Sequence, residues 1–499
     1  MSSHDLPGKK SGLADPPSLL NNPSRRSVLG AIAGVGSAVA ASALLSVSPL
    51  SLRTAAAAAM PGTSKGGYKL DLGGYRGPEL ATEPVTLRFM RQDYPPELND
   101  LINSVYAKFT AAYPNITIKE ERVPYGDLPK KVQVYVASGS APDIMMGRND
   151  FTLAYHAGKI ALPLQDYFTP EYVADIFDNA REAASVDNNL YCVPWETNTV
   201  FMYFNRDLFE KAGVATPPEV SDLTKGWSFD EYLDALRRVK SGLATKGVTD
   251  VWALAASPYG NGGPGSNYTQ MESIWVRAQG DPAAPKGSPG YLTLMGISDD
   301  GRKTTGAIDT PEAIQGMKNY QALFKEGLTP TGAVAHQFEA GVAATVFGGI
   351  NEANLFSLPG GAPAFKWGAT PAPRGKLVFN ANTSDSPMVW AKAPHPAEAA
   401  ALLAYMCNDA NRIDFHRVWG SMPARKSLTD QIPKYKTDQP YQLAAAVGAN
   451  SYSAPRTVGY FDYFNVMNPT VKDIALGADP AQRLKAAATR IDALLRKYT

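Results

Sequence analysis

Only two cysteines, Cys192 and Cys407, occur in 499 residues. In an oxidising compartment they could pair, but two isolated cysteines read first as buried small hydrophobes. Histidine is also scarce: His4, His156, His336, His395 and His416 show no ligand spacing, and no Cys/His cluster accompanies them. That pattern argues against zinc, haem or iron–sulfur chemistry, so no cofactor and no metal site are expected. A nucleophile elbow and a phosphate-cradling glycine motif are missing as well. So is any excess of one charge, since 48 basic residues face 47 acidic ones. A nucleic-acid binder would need a basic stripe, and none is present. What remains is the composition of a soluble globular protein, 44% hydrophobic and 19% charged. Its length exceeds the usual single domain, so two domains are expected.

The first segment is set apart from the fold. Residues 1–23 are polar and rich in Pro and Ser, and Ser24-Arg25-Arg26-Ser27-Val28-Leu29-Gly30 follows. A weakly apolar Ala/Gly/Ser/Val run then reaches about Leu52, and Ala55 to Ala59 offers the small residues a signal peptidase needs. An arginine pair, a moderately apolar stretch and a small-residue exit have the layout of a twin-arginine export signal. Val28 and Gly30 depart from it, standing where Phe and Lys are common. The competing reading is an N-terminal membrane anchor, for which so much Ala, Gly and Ser is poorly suited. Cleavage near Ala59 would leave 43 basic and 45 acidic residues. The expected location is periplasmic or extracytoplasmic. No cysteine near the cleavage region invites a lipid anchor.

Residues 60–84 are Gly-rich and are expected to form a flexible arm. Val85 to Met90 alternates as a strand, Glu97 to Tyr113 carries apolar residues at helical spacing, and Ile116 to Arg122 alternates again. This strand–helix–strand unit implies a parallel sheet, whose ligands gather beyond the carboxyl ends of its strands. A helix over Asp127–Ser138 stops at Gly139, and a buried strand over Ala141–Met146 leads into Gly147-Arg148-Asn149-Asp150-Phe151. The chain then reaches Leu190 to Asp207, two strand pieces interrupted by Pro194-Trp195-Glu196-Thr197-Asn198-Thr199. Pro194 ends backbone pairing, so this stretch reads as a crossing between two domains. Further on, Ser228 and Glu231 form a capping box, Pro311 begins a helix, and Gly341 to Phe347 is a strand. Trp367 to Arg374 and Met388 to Lys392 are expected to return as strands to the first domain.

Five fragments in order resemble the extracellular solute-binding proteins of ABC importers, in the branch of the maltose-binding and other sugar-binding proteins. They are Ala141-Pro142-Asp143-Ile144 with Gly158-Lys159-Ile160 and Leu164; Val193-Pro194 with Tyr203-Phe204-Asn205-Arg206-Asp207-Leu208-Phe209 and Ala212-Gly213; Trp227-Ser228-Phe229-Asp230-Glu231; Phe338-Glu339-Ala340-Gly341-Val342-Ala343-Ala344; and Gly420-Ser421-Met422-Pro423-Ala424. The resemblance implies an α/β fold of two lobes, the type II periplasmic-binding-protein arrangement, joined by hinge strands around a ligand cleft. It divides the chain into a first lobe of 85–192 plus 366–394 and a second of 195–365 plus 397–499. It also implies a monomer that takes a carbohydrate and delivers it to ABC permease membrane subunits.

A sugar site needs planar hydrogen-bonding groups beside stacking aromatics. Asp150 falls where similar proteins place an acidic sugar contact; its alternative role is a helix N-cap for Thr152 onward. Asn198 matches the polar contact after the hinge proline, with Trp195 and Glu196 beside it; their alternative is hinge packing. Arg91, Gln92, Asp93 and Tyr94 end the first strand, where at least one should face the cleft. In the second lobe the candidates are Tyr268, Gln270, Asn351, Glu352, Arg456 and Tyr460, whereas Trp275 lies on an apolar helical face and reads as core. Gly147 stands where maltose binders carry a stacking Trp, which speaks against a maltodextrin ligand. The competing function is an exported glycoside hydrolase using paired carboxylates such as Asp150 with Glu196 or Glu352. A third is a binding component that signals rather than transports.

Overall fold

The computed structural model describes residues 68–256, 264, 268, 272–332, 334–357 and 361–498; the expected export segment and Gln270 lie outside them. Strand β1 (Val85–Gln92) sends Val85, Leu87 and Phe89 inward. Helix α1 (Pro96–Ala112) starts with proline in its first turn and buries Leu98, Ile102, Val105, Tyr106 and Phe109. It covers the sheet with Tyr106 against Phe89, ring centroids 6.3 Å apart. Strand β2 (Ile116–Val123) pairs parallel to β1, from Val85 opposite Ile116 to Gln92 opposite Val123. Helix α2 (Leu128–Ser138) ends at Gly139, whose φ of +65° is the left-handed cap glycine accepts most readily. Strand β3 (Ile144–Arg148) then pairs parallel to the other side of β1. Parallel pairing places the carboxyl ends of β1 and β3 on one edge, which is where Tyr94 and Asp150 emerge.

The crossing contains a short strand, β4 (Glu196–Thr197), and leads into β5 (Phe201–Asn205), buried throughout. Helix α3 (Phe229–Thr245) carries the expected capping box: Ser228 Oγ accepts from Glu231 N at 3.3 Å and Glu231 Oε2 accepts from Ser228 N at 2.7 Å. Strand β6 (Trp252–Leu254), helix α4 (Pro311–Lys325), strand β7 (Ala343–Gly348) and helix α5 (Ile350–Ser357) follow. The second sheet has the order β8-β5-β7-β6, where β8 is Trp367–Thr370.

That membership corrects one expectation. Trp367–Thr370 was expected in the first lobe, yet it pairs antiparallel with β5 from Trp367 opposite Asn205. One edge of β5 is filled by β7 and the other was open, and the Trp367 ring packs on Tyr203 and Phe356 at 5.8 and 5.3 Å. Only β9 (Asp385–Val389) joins the first sheet, antiparallel to β3. Helices α6 (Pro396–Met406) and α7 (Asp409–Trp419) also correct the expected boundary, because both pack on α1 of the first lobe. Tyr405 meets Phe109 at 5.7 Å and Phe415 meets Tyr94 at 6.1 Å. Strand β10 (Met422–Pro423) pairs with β4, helix α8 (Gln439–Ala449) packs on β8 and α5, and helix α9 (Tyr460–Ala475) packs on α4 while its Tyr460, Phe461 and Phe464 rings reach Phe151 after β3.

The arm is a further correction. From Tyr68 onward it is not loose: Leu72 and Tyr75 are buried, Thr169 N donates to Gly74 O at 2.7 Å and Asn408 Nδ2 donates to Asp71 O at 3.0 Å. Gly74 is there for close approach, since a Cβ would lie 2.4 Å from that of Tyr172. Cys192 and Cys407 are buried and unpaired, and Trp275 is core against Phe229, Tyr232 and Tyr320. Among the described residues no helix is long and apolar enough to cross a membrane.

Candidate functional site

The carboxyl end of β3 builds the first wall. Arg148 and Asp150 close a two-pronged ion pair, Nε to Oδ1 at 3.0 Å and Nη2 to Oδ2 at 2.6 Å, with side chains 4% and 0% exposed. Such a pair is held only where both hydrogen bonds are made. Burial pulls the Arg148 guanidinium down, but the Asp150 charge and the nearby phenols of Tyr125 and Tyr460 outweigh it and keep it protonated. Burial raises Asp150, against the pull of Arg148 and the Tyr460 hydroxyl. Aromatic rings frame the guanidinium: Tyr125, Phe151 and Phe464 lie 5.6 to 5.7 Å from it. Tyr125 and Phe464 are half-buried. Gly147, just before, faces the Tyr155 ring and the Ser386 carbonyl, and a Cβ would come within 3.2 Å of both. No stacking side chain fits there.

Beside this wall stand two more carboxylates. Trp195 N donates to Asp385 O at 3.1 Å, which ties the crossing to the start of β9. Tyr94 OH donates to Asp385 Oδ2 at 2.7 Å, and Tyr94 meets the half-buried Trp419 ring at 5.9 Å. Burial pushes Asp385 up to about 6, although Tyr94, Arg148 and Arg412 favour its charge. Half-buried Glu196 is pushed up to about 7, first by desolvation and then by the charge of Asp385, while the Ser421 hydroxyl and Arg412 oppose the rise. The two titrate as a coupled pair. Arg412 turns its charge elsewhere: Nη2 donates to Trp195 O at 2.7 Å, and the guanidinium lies 3.9 Å from the Phe415 ring centre and 5.2 Å from that of Trp195.

The floor is made of amides and hydroxyls. Asn380 fastens the crossings together: its Nδ2 donates to Asn198 O at 2.9 Å and Ser451 Oγ at 2.7 Å, and its Oδ1 accepts from Val200 N at 2.9 Å. Around this staple Thr197 Oγ1, Asn198 Nδ2, Thr199 Oγ1 and both side-chain polar atoms of Asn382 are buried without a protein partner. Buried polar groups are normally satisfied, so these atoms are available to water or to a solute.

The expected residues therefore divide. Tyr94, Asp150, Trp195, Glu196, Asn198 and Tyr460 come together. Asp150 is not an N-cap, because its carboxylate is occupied by Arg148. Arg91 does not join them: it shares the face of β1 that carries Phe89, so it points at α1 and β2. There it is fully buried on Glu120 and on Asn99 Oδ1, at 2.6 and 2.7 Å. Asp93 turns back to Asn99, accepting from its Nδ2 at 3.0 Å. Tyr268 is buried behind Tyr463, at 6.3 Å, and Tyr463 in turn stacks on Tyr460. Asn351 and Glu352 stand at the start of α5, where Glu352 Oε2 accepts from Gly349 N at 2.8 Å and so serves the helix end. Arg456 fastens Glu182 O and Ser185 O, at 3.0 and 3.3 Å. Sequence reasoning missed Tyr125, Arg148, Asn382, Asp385 and Arg412 as members of the cluster. The polar run Asn380 to Ser386 before a strand was the available signal for two of them.

Comparison with known proteins agrees with this architecture. Residues 95–413 match the family model of the bacterial extracellular solute-binding proteins. A Brucella abortus relative named only as a binding protein is 23% identical over 421 residues, covering 82% of this chain and 93% of its own. The galactooligosaccharide-binding protein of Bacillus subtilis is 22% identical over 393 residues, 75% of this chain and 82% of that one. Among solved structures, the GacH receptor of Streptomyces glaucescens matches with a TM-score of 0.66 at 16% identity, covering 83% of this chain and all of that one. An ABC substrate-binding protein from Listeria monocytogenes, in complex with cycloalternan, matches at 0.65 and 18% identity over 83% of this chain and 100% of its own. With its two separate α/β sheets, this chain belongs to the bacterial extracellular solute-binding proteins.

Proposed function

We propose that the protein captures a carbohydrate and delivers it to the membrane subunits of an ABC importer. The observation that carries this reading is the pairing of half-buried aromatic rings with unmatched hydrogen-bonding groups. Tyr125, Trp419 and Phe464 are half-buried rings, while Asn198, Thr197 and Asn382 hold polar atoms without protein partners. A sugar has that same duality, apolar ring faces and a rim of hydroxyls. Asp150, Glu196, Asn198, Tyr94 and Tyr460 are the groups proposed to meet its hydroxyls, with Trp195 packing behind them. The names of similar proteins support the class, since relatives are described as binding galactooligosaccharide or maltotriose.

A thermal-shift screen of the protein against sugars and polyols tests the reading. A bound solute at 100 times its dissociation constant adds about 2.7 kcal/mol of apparent stability. Stabilisation without consumption of the sugar is the expected result. Turnover would favour the hydrolase, for which Glu196 and Asp385 are the carboxylates to replace. Export is proposed to use Arg25 and Arg26; replacing both with lysine should abolish it, and unchanged export would refute the twin-arginine route. The protein is proposed to act as a monomer, which sedimentation would check.

A further inference from the structure

The acidic pair at the crossing is not accounted for by a neutral sugar. Among the described residues neither Glu196 nor Asp385 makes an ion pair within 4.0 Å, while Arg148 is fully engaged by Asp150. Arg412, the other cation at hand, is 5% exposed, is held over Phe415 and donates to Trp195 O. The charged and titratable groups facing the pair are Tyr94 from the end of β1, Tyr125, Arg148 and Asp150 from around β3, and Arg412 from α7. Three carboxylates therefore face two guanidiniums. With Arg148 and Asp150 cancelling, one negative charge is left over at a place where water is largely displaced. Elsewhere at the crossing Asn382, 0% exposed, has both side-chain polar atoms unmatched, and Thr197 Oγ1 is unmatched too. What brings the two carboxylates together is the backbone: Trp195, the residue before Glu196, donates its N to Asp385 O at 3.1 Å.

Resting on the carbohydrate reading above, we infer that the solute carries a protonated amine among its hydroxyls, an amino sugar or aminocyclitol, seated between Glu196 and Asp385. An ammonium group supplies the missing positive charge and up to three donors, and two carboxylates accept them. Without such a ligand the pair relieves its repulsion by binding a proton, which is the physical meaning of its raised affinity for protons. Proton and amine then compete for one position. Amine binding should weaken as the pH falls from 7 towards 5, whereas an uncharged sugar has no such penalty.

Titration calorimetry on the full chain tests this with three sets of oligomers of one linkage and two to four units: glucosamine, N-acetylglucosamine and glucose. At pH 7 the glucosamine oligomers should bind about tenfold more tightly than the glucose oligomers. The acetylated set, which keeps the nitrogen but not its charge, should behave as the neutral set does. The advantage of the amine should shrink at pH 5, and Glu196→Gln or Asp385→Asn should bring the ratio of the two affinities towards one. Neutral oligomers binding equally well or better, or an amine preference indifferent to pH and to both substitutions, would overturn the inference and leave the carbohydrate reading standing. Silence from all three sets would count against both.

Discussion

At the carboxyl end of β1, Arg91 meets Glu120 at 2.6 Å; at the carboxyl end of the neighbouring β3, Arg148 meets Asp150 at the same distance. The two strands are parallel and adjacent, so the pairs stand on one edge of one sheet. Their surroundings differ. Arg91 shares its face with Phe89, beneath α1, and Glu120 is also held by Arg122. Arg148 and Asp150 are two residues apart and lie among Tyr125, Phe151, Phe464 and Tyr460, at the join between lobes. Position along the strand brings a charge to the functional edge. The register that sets Phe89 opposite Ile144 puts Arg148 on the same face as Arg91 but two residues further along, past the end of β1, so reach along the strand rather than side-chain parity separates the two pairs.

The largest expected effect lies in the second pair. Asp150→Ala leaves a buried guanidinium without its partner and should cost about 3–5 kcal/mol in urea unfolding. Solute binding should be lost with it. Pairing Asp150→Leu with Arg148→Met should recover much of the stability without recovering binding, and a single substitution costing less than about 1 kcal/mol would contradict the buried pair. Arg91→Met is expected to be milder, about 1–3 kcal/mol, because Glu120 keeps Arg122. Its solute affinity should stay within about twofold of the parent, by the burial that keeps Arg91 off the cleft. A tenfold loss would return Arg91 to the site.

Next comes a pH effect whose sign follows from the acidic pair. Glu196 and Asp385 are raised to about 7 and about 6, above their ordinary carboxylate values, so the native state holds more protons than the unfolded chain across that window. Their contribution to stability is full below the ordinary carboxylate range and is lost as the pH rises towards 7. Glu196→Gln should therefore melt higher than the parent at pH 8, by the order of 1 kcal/mol, and match it near pH 4. The smallest effect belongs to Arg237 and Glu326, a two-pronged pair at 2.6 and 2.7 Å that lies open to solvent. Arg237→Ala should cost under about 1 kcal/mol, a baseline for geometry without burial.

Much of the first lobe was legible. The alternation of Val85 to Met90, the helical spacing behind it and the second alternation from Ile116 all became the elements they imply. So did the capping box at Ser228 and the first-turn proline at Pro311, and Trp275 proved to be core. These features depend on neighbours within a few residues, where backbone geometry acts directly. Half of the candidate cluster was legible for a related reason: Tyr94, Asp150 and Glu196 to Asn198 follow strand ends or interrupt a strand. The other half was not. Asp385 and Arg412 become site residues only when β9 is laid beside β3 and α7 packs under Trp195.

The sequence by itself determined the periodicity of each element and its caps, because those are local balances of burial and hydrogen bonding. Tertiary structure decided which sheet Trp367–Thr370 completes, which carboxylate each of the two arginines pairs with, and that Glu196 and Asp385 lie on adjoining backbone. A strand joins whichever edge is open to it, and a carboxylate acquires its proton affinity from the charges and the lost water around it. Neither quantity exists until distant segments meet.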